Sequence, residues 1–433
     1  MDFSDTPEEA VFRTEVTAFL EANATRKAGR VIDAEPADAA YLQKARDWQA
    51  TKAKSGFAGI TWPRRWGGRG GTPMQQVIYG QEEAKFNLPR GVFEIGLGMC
   101  LPTLMAYAAK EIAERYVGPA LRGEEIWCQL FSEPAGGSDP TTFKTRAEWK
   151  NGKWVINGEK YFSSGAYGST ILIVYAVTDP DHKDIHQRTS IFIVPTKTPG
   201  VEILRGIGVG AGEGGGHGYM RYTDVEVGPE ALLGPRGGAF LVAQTRLSGG
   251  RVHHAMRTVG ACQKAFDLMC RRAVSRQTRD GRLADLAMVQ EQICDSWIAL
   301  QSFRLLVLHT AWLIDKHKDY NLVRKDIAAI KVAMPKVYQD IATTAAHIHG
   351  AMGVSNEMPF MGMVTSALVM GIADGPTEVH KITVAKQVLK DYRPDNDLFP
   401  SYHLPKLKEA ALDKYGAAID ELKAAAAKSH APA

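Results

Sequence analysis

Residues Cys128–Asp139 read CQLFSEPAGGSD. Cys128–Phe131 has β character and runs directly into Ser-Glu-Pro, followed by an Ala-Gly-Gly-Ser-Asp turn. A strand that ends in a Gly/Ser loop can aim several backbone N–H groups at one anionic or heterocyclic ligand. Pro134 stiffens the entry, and the glycines admit close backbone approach. An ordinary Ser/Gly surface turn has the same composition, so these residues alone leave both readings open.

The pattern changes on either side of this stretch. Residues 1–125 read as a helical domain. Glu8–Ala22 carries Val11, Phe12, Val16, Phe19 and Leu20 at helical spacing, and Thr6-Pro7-Glu8-Glu9 is a helix start. Gly56–Gly71, GFAGITWPRRWGGRGG, connects helices, and Pro73–Ala84 and Cys100–Tyr116 are helical again. From 126 to 235 the period becomes two. A hairpin turning at Asn151-Gly152 is the strongest signal, with further strands at Ser169–Val177, Ser190–Val194 and Tyr219–Val227. Residues 236–400 return to helix, with long segments near 238–278, 284–317, 322–350 and 376–391. Residues 401–433 hold a last helix from Leu404 and an Ala/Lys tail. The expected class is α+β, a β-domain set between two helical regions.

Composition bounds the function. A chain of 433 residues, 45% hydrophobic and 23% charged, has the make-up of a globular protein of two or three structural units. A net charge of +4 gives no reason to expect nucleic acid. No uninterrupted apolar run approaches the about 20 residues of a membrane span. The acidic start MDFSDTPEEA is neither a secretory signal nor a transit peptide. The five scattered cysteines suit free thiols in a reducing compartment, and a cytoplasmic location is expected.

Four further stretches carry chemistry. Lys160–Ala166, KYFSSGA, closes a strand with Phe162 and two hydroxyls, Ser163 and Ser164; together with the first loop it can form a shelf for a flat ring. Phe162 as plain core is the competing reading. Arg246–Gly260, RLSGGRVHHAMRTVG, places Gly249 and Gly250 inside a helix at about 1 kcal/mol each, which suggests close packing or a ligand against that helix. The adjacent His253 and His254 point about 100° apart on a helix and do not make a metal pair. His347–Gly353, HIHGAMG, is a helix end opening into a glycine turn; no third ligand stands at a usual spacing, so no metal is expected. Ile372–Lys381, IADGPTEVHK, sets Asp374-Gly375-Pro376 before a helix. Asp there is most often an N-cap, but over an apolar ligand its pKa would rise from ~3.9 towards the range of a base. The Gly206–Gly218 run, GIGVGAGEGGGHG, fails as a dinucleotide fingerprint because a strand follows it, and it reads as a loop.

Taken together these stretches resemble the acyl-CoA dehydrogenase family, from Phe3 to about Tyr392. FSEPAGGSD is similar to its Thr-Glu-Pro-x-Ala-Gly-Ser-Asp flavin loop, with Ser132 for Thr. KYFSSGA falls where the family has Lys-x-Trp-Ile-Thr-Asn, and GFAGITWPRRWGGRG is similar to its Pro-x-x-(Tyr/Trp)-Gly-Gly turn. KYFSSGA, GGRVHHAMRTVG and ADGPTEVHK look most like one subfamily. Its animal members carry an aminoglycoside-phosphotransferase-like kinase domain and handle long or hydroxylated acyl-CoAs; this chain has no room for that kinase domain. The implied fold is an N-terminal helical domain, a middle β-barrel or sandwich, and a C-terminal four-helix bundle.

The resemblance implies FAD as cofactor. Phe131 and Ser132 would meet the pyrimidine end of the flavin, and Gly137 and Ser138 the pyrophosphate, with Ser138 also near substrate. Phe162 would flank the isoalloxazine and Ser164 would donate near N5. Arg276 and the His347–Gly350–Gly353 turn would reach FAD across a subunit boundary, in a homodimer or homotetramer, and Glu378, at the position of a family Gln, would also touch FAD. Asp374 stands where most members have a catalytic Glu, with Arg251 beside it. Gly249, Gly250 and Arg251 would border the acyl chain. The family's alternative base position is Gly250 here, and its Phe-Gly-Lys after Arg276 is replaced by Arg279-Asp280-Gly281-Arg282. The implied reaction is α,β-dehydrogenation of an acyl-CoA, giving the trans-2-enoyl-CoA, with electron-transfer flavoprotein as acceptor. The space left by the glycines beside a shortened base points to a long, branched or bulky acyl chain. A flavin oxidase or monooxygenase of the nitroalkane oxidase type, which also uses Asp, is the alternative. A non-catalytic acyl-CoA or flavin-binding protein is a third reading.

Overall fold

The computed structural model describes residues 5–27, 38–89, 91–210, 216–395 and 397–429; side-chain surroundings at 244–249 and 427–429 lie outside that description. Residues 1–381 form one compact unit and 382–433 another. The first unit opens with α1 (Pro7–Asn23), α2 (Ala39–Lys54), α3 (Pro73–Glu83), a π-turn at Gly96–Cys100, α4 (Leu101–Tyr107) and α5 (Lys110–Leu121). Thr6 caps α1 as expected: its hydroxyl accepts from Glu9 N while Glu9 Oε2 accepts from Thr6 N at 2.8 Å. The single helix read over Cys100–Tyr116 is two, because Ala108 and Ala109 are extended.

Eight strands follow: β1 (Trp127–Leu130), β2 (Arg146–Lys150), β3 (Lys153–Ser164), β4 (Ile171–Val177), β5 (Thr189–Pro195), β6 (Val201–Ile207), β7 (His217–Val227) and β8 (Leu232–Leu233). Asn151 and Gly152 both take positive φ, 50° and 78°, and turn β2 into β3 with Trp149 opposite Trp154. The order is β6-β7-β3-β2-β4-β5-β8, with β1 parallel to β4. The two halves meet through the single pair Arg146–Val177. Alternation then separates two cores. Leu172, Val174, Phe192 and Val194 face Ile156, Met220 and Tyr222 of the other half, which makes the sandwich. Ile171, Ile173, Tyr175, Ile191 and Ile193 point the other way, onto Leu104, Val117 and Val242 of the helices.

The chain then forms α6 (Ala239–Ser275), a small hairpin of β9 (Gln277–Thr278) and β10 (Gly281–Arg282), α7 (Ala287–His317), α8 (Arg324–His349) and α9 (Phe360–Ile372). These four helices pack on one another around Cys262, Met269, Leu300, Tyr338, Ile341 and Phe360. The segment FMGMVTSALVMGI of α9 is too uniformly apolar for periodicity to separate strand from helix. α10 (Thr377–Leu389) begins in the first unit. The second unit carries its later turns and α11 (Leu404–Ser429).

One helix departs from the sequence expectation about membranes. α7 contains an 18-residue window of mean hydropathy 1.3 and has the length of a span. Arg304 and scattered polar residues interrupt any continuous apolar run, which is why run length passes over it. Val289, Leu300, Phe303 and Val307 are buried, as in a core helix packed on α6 and α8. Trp297, Ile298, Leu305 and Trp312 are left exposed.

Candidate functional site

The turn after α9 is built around an unusual backbone. Asp374 has φ 56° and Gly375 φ 97°. The left-handed region is open to Asp at modest cost, and the second position is one for glycine: a Cβ there would stand 3.0 Å from His380 Nε2. Asp374 therefore does not serve as the N-cap of α10. Its side chain instead reaches α6, where Oδ2 lies 3.2 Å from His254 Nε2, both side chains about 15% exposed or less. Its carbonyl accepts from Arg251 Nε at 3.2 Å and lies 3.3 Å from His380 Nε2. Gly250, one residue before Arg251, is buried against the same carboxylate. A Cβ on it would stand 3.7 Å from Asp374 Oδ2 and 3.3 Å from Met99 Cε.

Cations crowd this carboxylate. Lys331 of α8 is buried and donates to the Met370 carbonyl at the end of α9, which braces the turn. Burial pulls its pKa down to about 8; the nearby Asp374 charge opposes this and Arg251 adds to it. Burial, and then Arg251, bring His380 down to about 4, so its ring is neutral at pH 7.

A second cluster forms where β1 ends. Glu133 and Gly136 exchange two backbone hydrogen bonds, 2.9 and 3.0 Å, closing the Ser-Glu-Pro-Ala-Gly turn. The Ser132 carbonyl accepts from Tyr161 N at 2.8 Å and the Phe131 carbonyl from Lys160 Nζ at 2.9 Å, so the two Ser/Gly strand ends lie side by side. Lys160 also meets Glu133 at 2.8 Å and lies over the Phe143 ring. The pairing of β3 with β7 shifts register between Lys160 and Ser163, and Phe162 falls in that bulge with φ 54°. For a bulky side chain this is strained backbone, of order 1–3 kcal/mol. The bulge turns the Phe162 ring outward, 51% exposed, rather than into core. Phe131 packs edge-on to Tyr175 at 5.1 Å.

These features fit a flat-ring cofactor. An exposed aromatic held in strained backbone stands next to Ser163, whose buried hydroxyl has no partner among the described residues. Gly137 and Ser138 are exposed, and a Cβ at 137 would lie 2.4 Å from Ser132 Oγ, so the loop is closed tightly on itself. The Ser164 hydroxyl is engaged with His217 Nδ1 at 2.8 Å. The π-turn Gly96–Cys100 packs between β1 and α6 and so links the two clusters; Met99 faces Gly250 and Gly96 faces Trp127.

Other predicted residues stand apart. Arg276 is exposed at the end of α6, His347 and Gly350 are exposed at the end of α8, and Glu378 is exposed in the first turn of α10. No described hydrogen bond or ring contact joins them to either cluster. Gly353 is buried and fits only as glycine, a Cβ there lying 2.0 Å from the Ala346 carbonyl oxygen. Gly249 is helical, but its surroundings lie outside the described residues, as do residues 211–215 of the Gly206–Gly218 run.

Sequence reasoning passed over three residues at the carboxylate. His254 stands three after Arg251 and so on the same helix face, a relation that metal-ligand spacing does not test. Lys331 is a lone charge inside AAIKVAM, a pattern that marks a buried cation. His380 carried no local signal.

Profiles of the N-terminal, middle and C-terminal domains of acyl-CoA dehydrogenases match residues 6–124, 128–225 and 237–389. The chain is 35% identical over 297 residues to acyl-CoA dehydrogenase family member 11 of Mus musculus; the match covers 67% of this chain and 38% of that protein. It is 32% identical to (R)-benzylsuccinyl-CoA dehydrogenase of Thauera aromatica, over 78% of this chain and 83% of that one. The crystal structure of acyl-CoA dehydrogenase from Geobacillus kaustophilus superposes with a TM-score of 0.76 at 20% identity, covering 90% of this chain and all of that chain. The order of helices, sheet and helices and the three matched domains lead to one conclusion: the chain belongs to the acyl-CoA dehydrogenase family, flavoprotein oxidoreductases that are in general FAD-dependent.

Proposed function

We propose that this chain is an FAD-dependent dehydrogenase of acyl-CoA thioesters carrying a long, branched or bulky acyl chain. Asp374 takes the α-proton while the β-hydrogen leaves as hydride, and the product is the trans-2-enoyl-CoA. FAD, when bound, supplies the hydride acceptor, and electron-transfer flavoprotein is the partner that takes the electrons on. Phe131, Ser132, Gly137, Ser138 and Phe162 would hold the cofactor, with Ser163 offering its unpartnered hydroxyl. The observation that carries the reading is the posture of Asp374: a largely buried carboxylate on a positive-φ turn, anchored to α6 by Arg251 and His254, with a glycine in front of it. A base so held loses water and keeps its geometry. Gly250 puts no side chain of its own beside that carboxylate, which favours a bulky substituent near the α carbon.

Assembly is part of the proposal. Arg276, His347 and Glu378 are exposed in a single chain, and α7 presents Trp297, Leu305 and Trp312 outward. Both suit a dimer or tetramer in which those residues serve a neighbour's cofactor.

The test is anaerobic mixing of the purified yellow protein with straight, branched, aromatic and steroid-derived acyl-CoAs. Bleaching by bulky acyl-CoAs with slow reoxidation in air is expected, and Asp374→Ala should stay yellow and not bleach. Strict preference for butyryl-CoA would refute the substrate class. Bleaching of the Asp374→Ala protein would move the base elsewhere, and rapid reoxidation would favour an oxidase.

A further inference from the structure

We propose that His254, fixed in one tautomer by Arg257, is a positioning residue that holds the Asp374 carboxylate as a hydrogen-bond donor. This rests on the reading of Asp374 as the base. His254 Nδ1 lies 2.8 Å from Arg257 Nη2, and its Nε2 lies 3.2 Å from Asp374 Oδ2. A guanidinium has only donors, so Nδ1 must be the acceptor and carries no hydrogen. The ring hydrogen is therefore on Nε2, and His254 donates to the carboxylate.

One consequence separates His254 from a general base. With Nε2 already protonated and Nδ1 occupied by Arg257, the ring has no free lone pair with which to take a proton from Asp374. His254 thus holds Oδ2 in place without competing for the proton. Two successive turns of α6 supply the set: Arg251 to the Asp374 carbonyl, His254 to its carboxylate, Arg257 behind His254. Among the described residues, Lys331 from α8 and His380 from α10 also face Asp374. Neither touches Oδ2 among the described hydrogen bonds.

The first measurement needs no turnover. In protein labelled with 15N-histidine, long-range 1H–15N correlation should show the His254 ring, assigned by its loss in His254→Gln, with a protonated Nε2 and a bare Nδ1. Arg257→Gln should mix the tautomers. A His254 ring with hydrogen on Nδ1, or one unchanged by Arg257→Gln, overturns the proposal. The second uses the FAD-loaded enzyme with 2-methyl-branched acyl-CoA and palmitoyl-CoA. His254→Ala should lower kcat about ten- to a hundred-fold with KM changed less than about threefold, as for loss of one hydrogen bond to a charged group. The acid limb of the kcat/KM profile should move up by about one pH unit, since a carboxylate that loses a donor becomes more basic. His254→Gln, which keeps a donor at the Nε2 position, should recover most of the rate. Equal losses in both variants, or an unmoved acid limb, would make His254 merely structural. If Asp374→Ala retains turnover while the tautomer is as stated, it is the assignment of the base that fails and not the hydrogen-bond chain.

Discussion

The ammonium of Lys160 stands 2.8 Å from the carboxylate of Glu133, and neither side chain is more than 4% exposed. Glu133 also accepts from the backbone N–H of Lys144 at 2.6 Å and of Thr145 at 3.0 Å. Lys160 completes its set with the Phe131 carbonyl. One buried pair therefore ties the end of β1, the entry to β2 and the body of β3, the three segments that shape the loop at 131–138. Removing one partner leaves the other charged and dry. Lys160→Met should cost about 3–5 kcal/mol in urea unfolding and lower the flavin content of purified protein. A loss under about 1 kcal/mol would show that the pair is not what organises the loop.

The same pair sets an acid limit. Burial pushes Glu133 up, but Lys160 and the two backbone N–H groups outweigh it and hold the carboxylate below its ordinary range. The unfolded chain then binds the proton first as pH falls. The stabilisation is fully present above the ordinary Glu value of about 4.3 and is lost as pH drops through the folded value. Denaturant midpoints measured from pH 7 downward should fall less steeply in a Glu133→Gln/Lys160→Met double variant than in the wild type. Parallel slopes would place the acid sensitivity elsewhere.

Phe162 offers a trade between stability and cofactor. Its φ of 54° suits Asn far better than an aromatic. Phe162→Asn should leave the flavin-free protein as stable or about 1 kcal/mol more so, while loosening the flavin through loss of the exposed ring. Differential scanning calorimetry and flavin release by ultrafiltration read the two effects separately. Unchanged flavin retention would take Phe162 out of the cofactor shelf.

Gly250 is expected to set the acyl chain. Among the described residues, an added methyl would meet the flexible end of Met99 at 3.3 Å and Asp374 Oδ2 at 3.7 Å, so the fold can accept it. Gly250→Ala should raise helix stability by up to about 1 kcal/mol. The same methyl should cut kcat/KM for a 2-methyl-branched acyl-CoA about tenfold relative to palmitoyl-CoA, as one methyl group in a filled pocket does. A uniform loss across both substrates would mean the methyl disturbs Asp374 itself.

Much of this molecule is written locally. The Asn151-Gly152 hairpin, the Thr6–Glu9 capping box and the short apolar runs of β4 and β5 depend on residues a few positions apart, so their chemistry is visible in a linear reading. The loop at Cys128–Asp139 declared itself for the same reason: a strand, a proline and two glycines are a complete local instruction. α9 and the division of Cys100–Tyr116 were less legible, because a uniformly apolar segment has no period to read and Ala108–Ala109 carry no breaker.

The carboxylate site divides the same way. By itself the sequence determined that Asp374 sits in a sharp Gly-Pro turn and that Arg251 follows a glycine pair, since both are properties of neighbouring residues. Only the tertiary structure decided that Asp374 turns away from α10 and towards α6, because its left-handed backbone and the Arg251 and His254 donors outweigh the local N-cap preference. It likewise decided that Lys331 and His254, both remote from Asp374 in the chain, close around that carboxylate. Long-range burial and the one-way hydrogen bonding of a guanidinium set those roles, and neither is encoded in spacing along a chain.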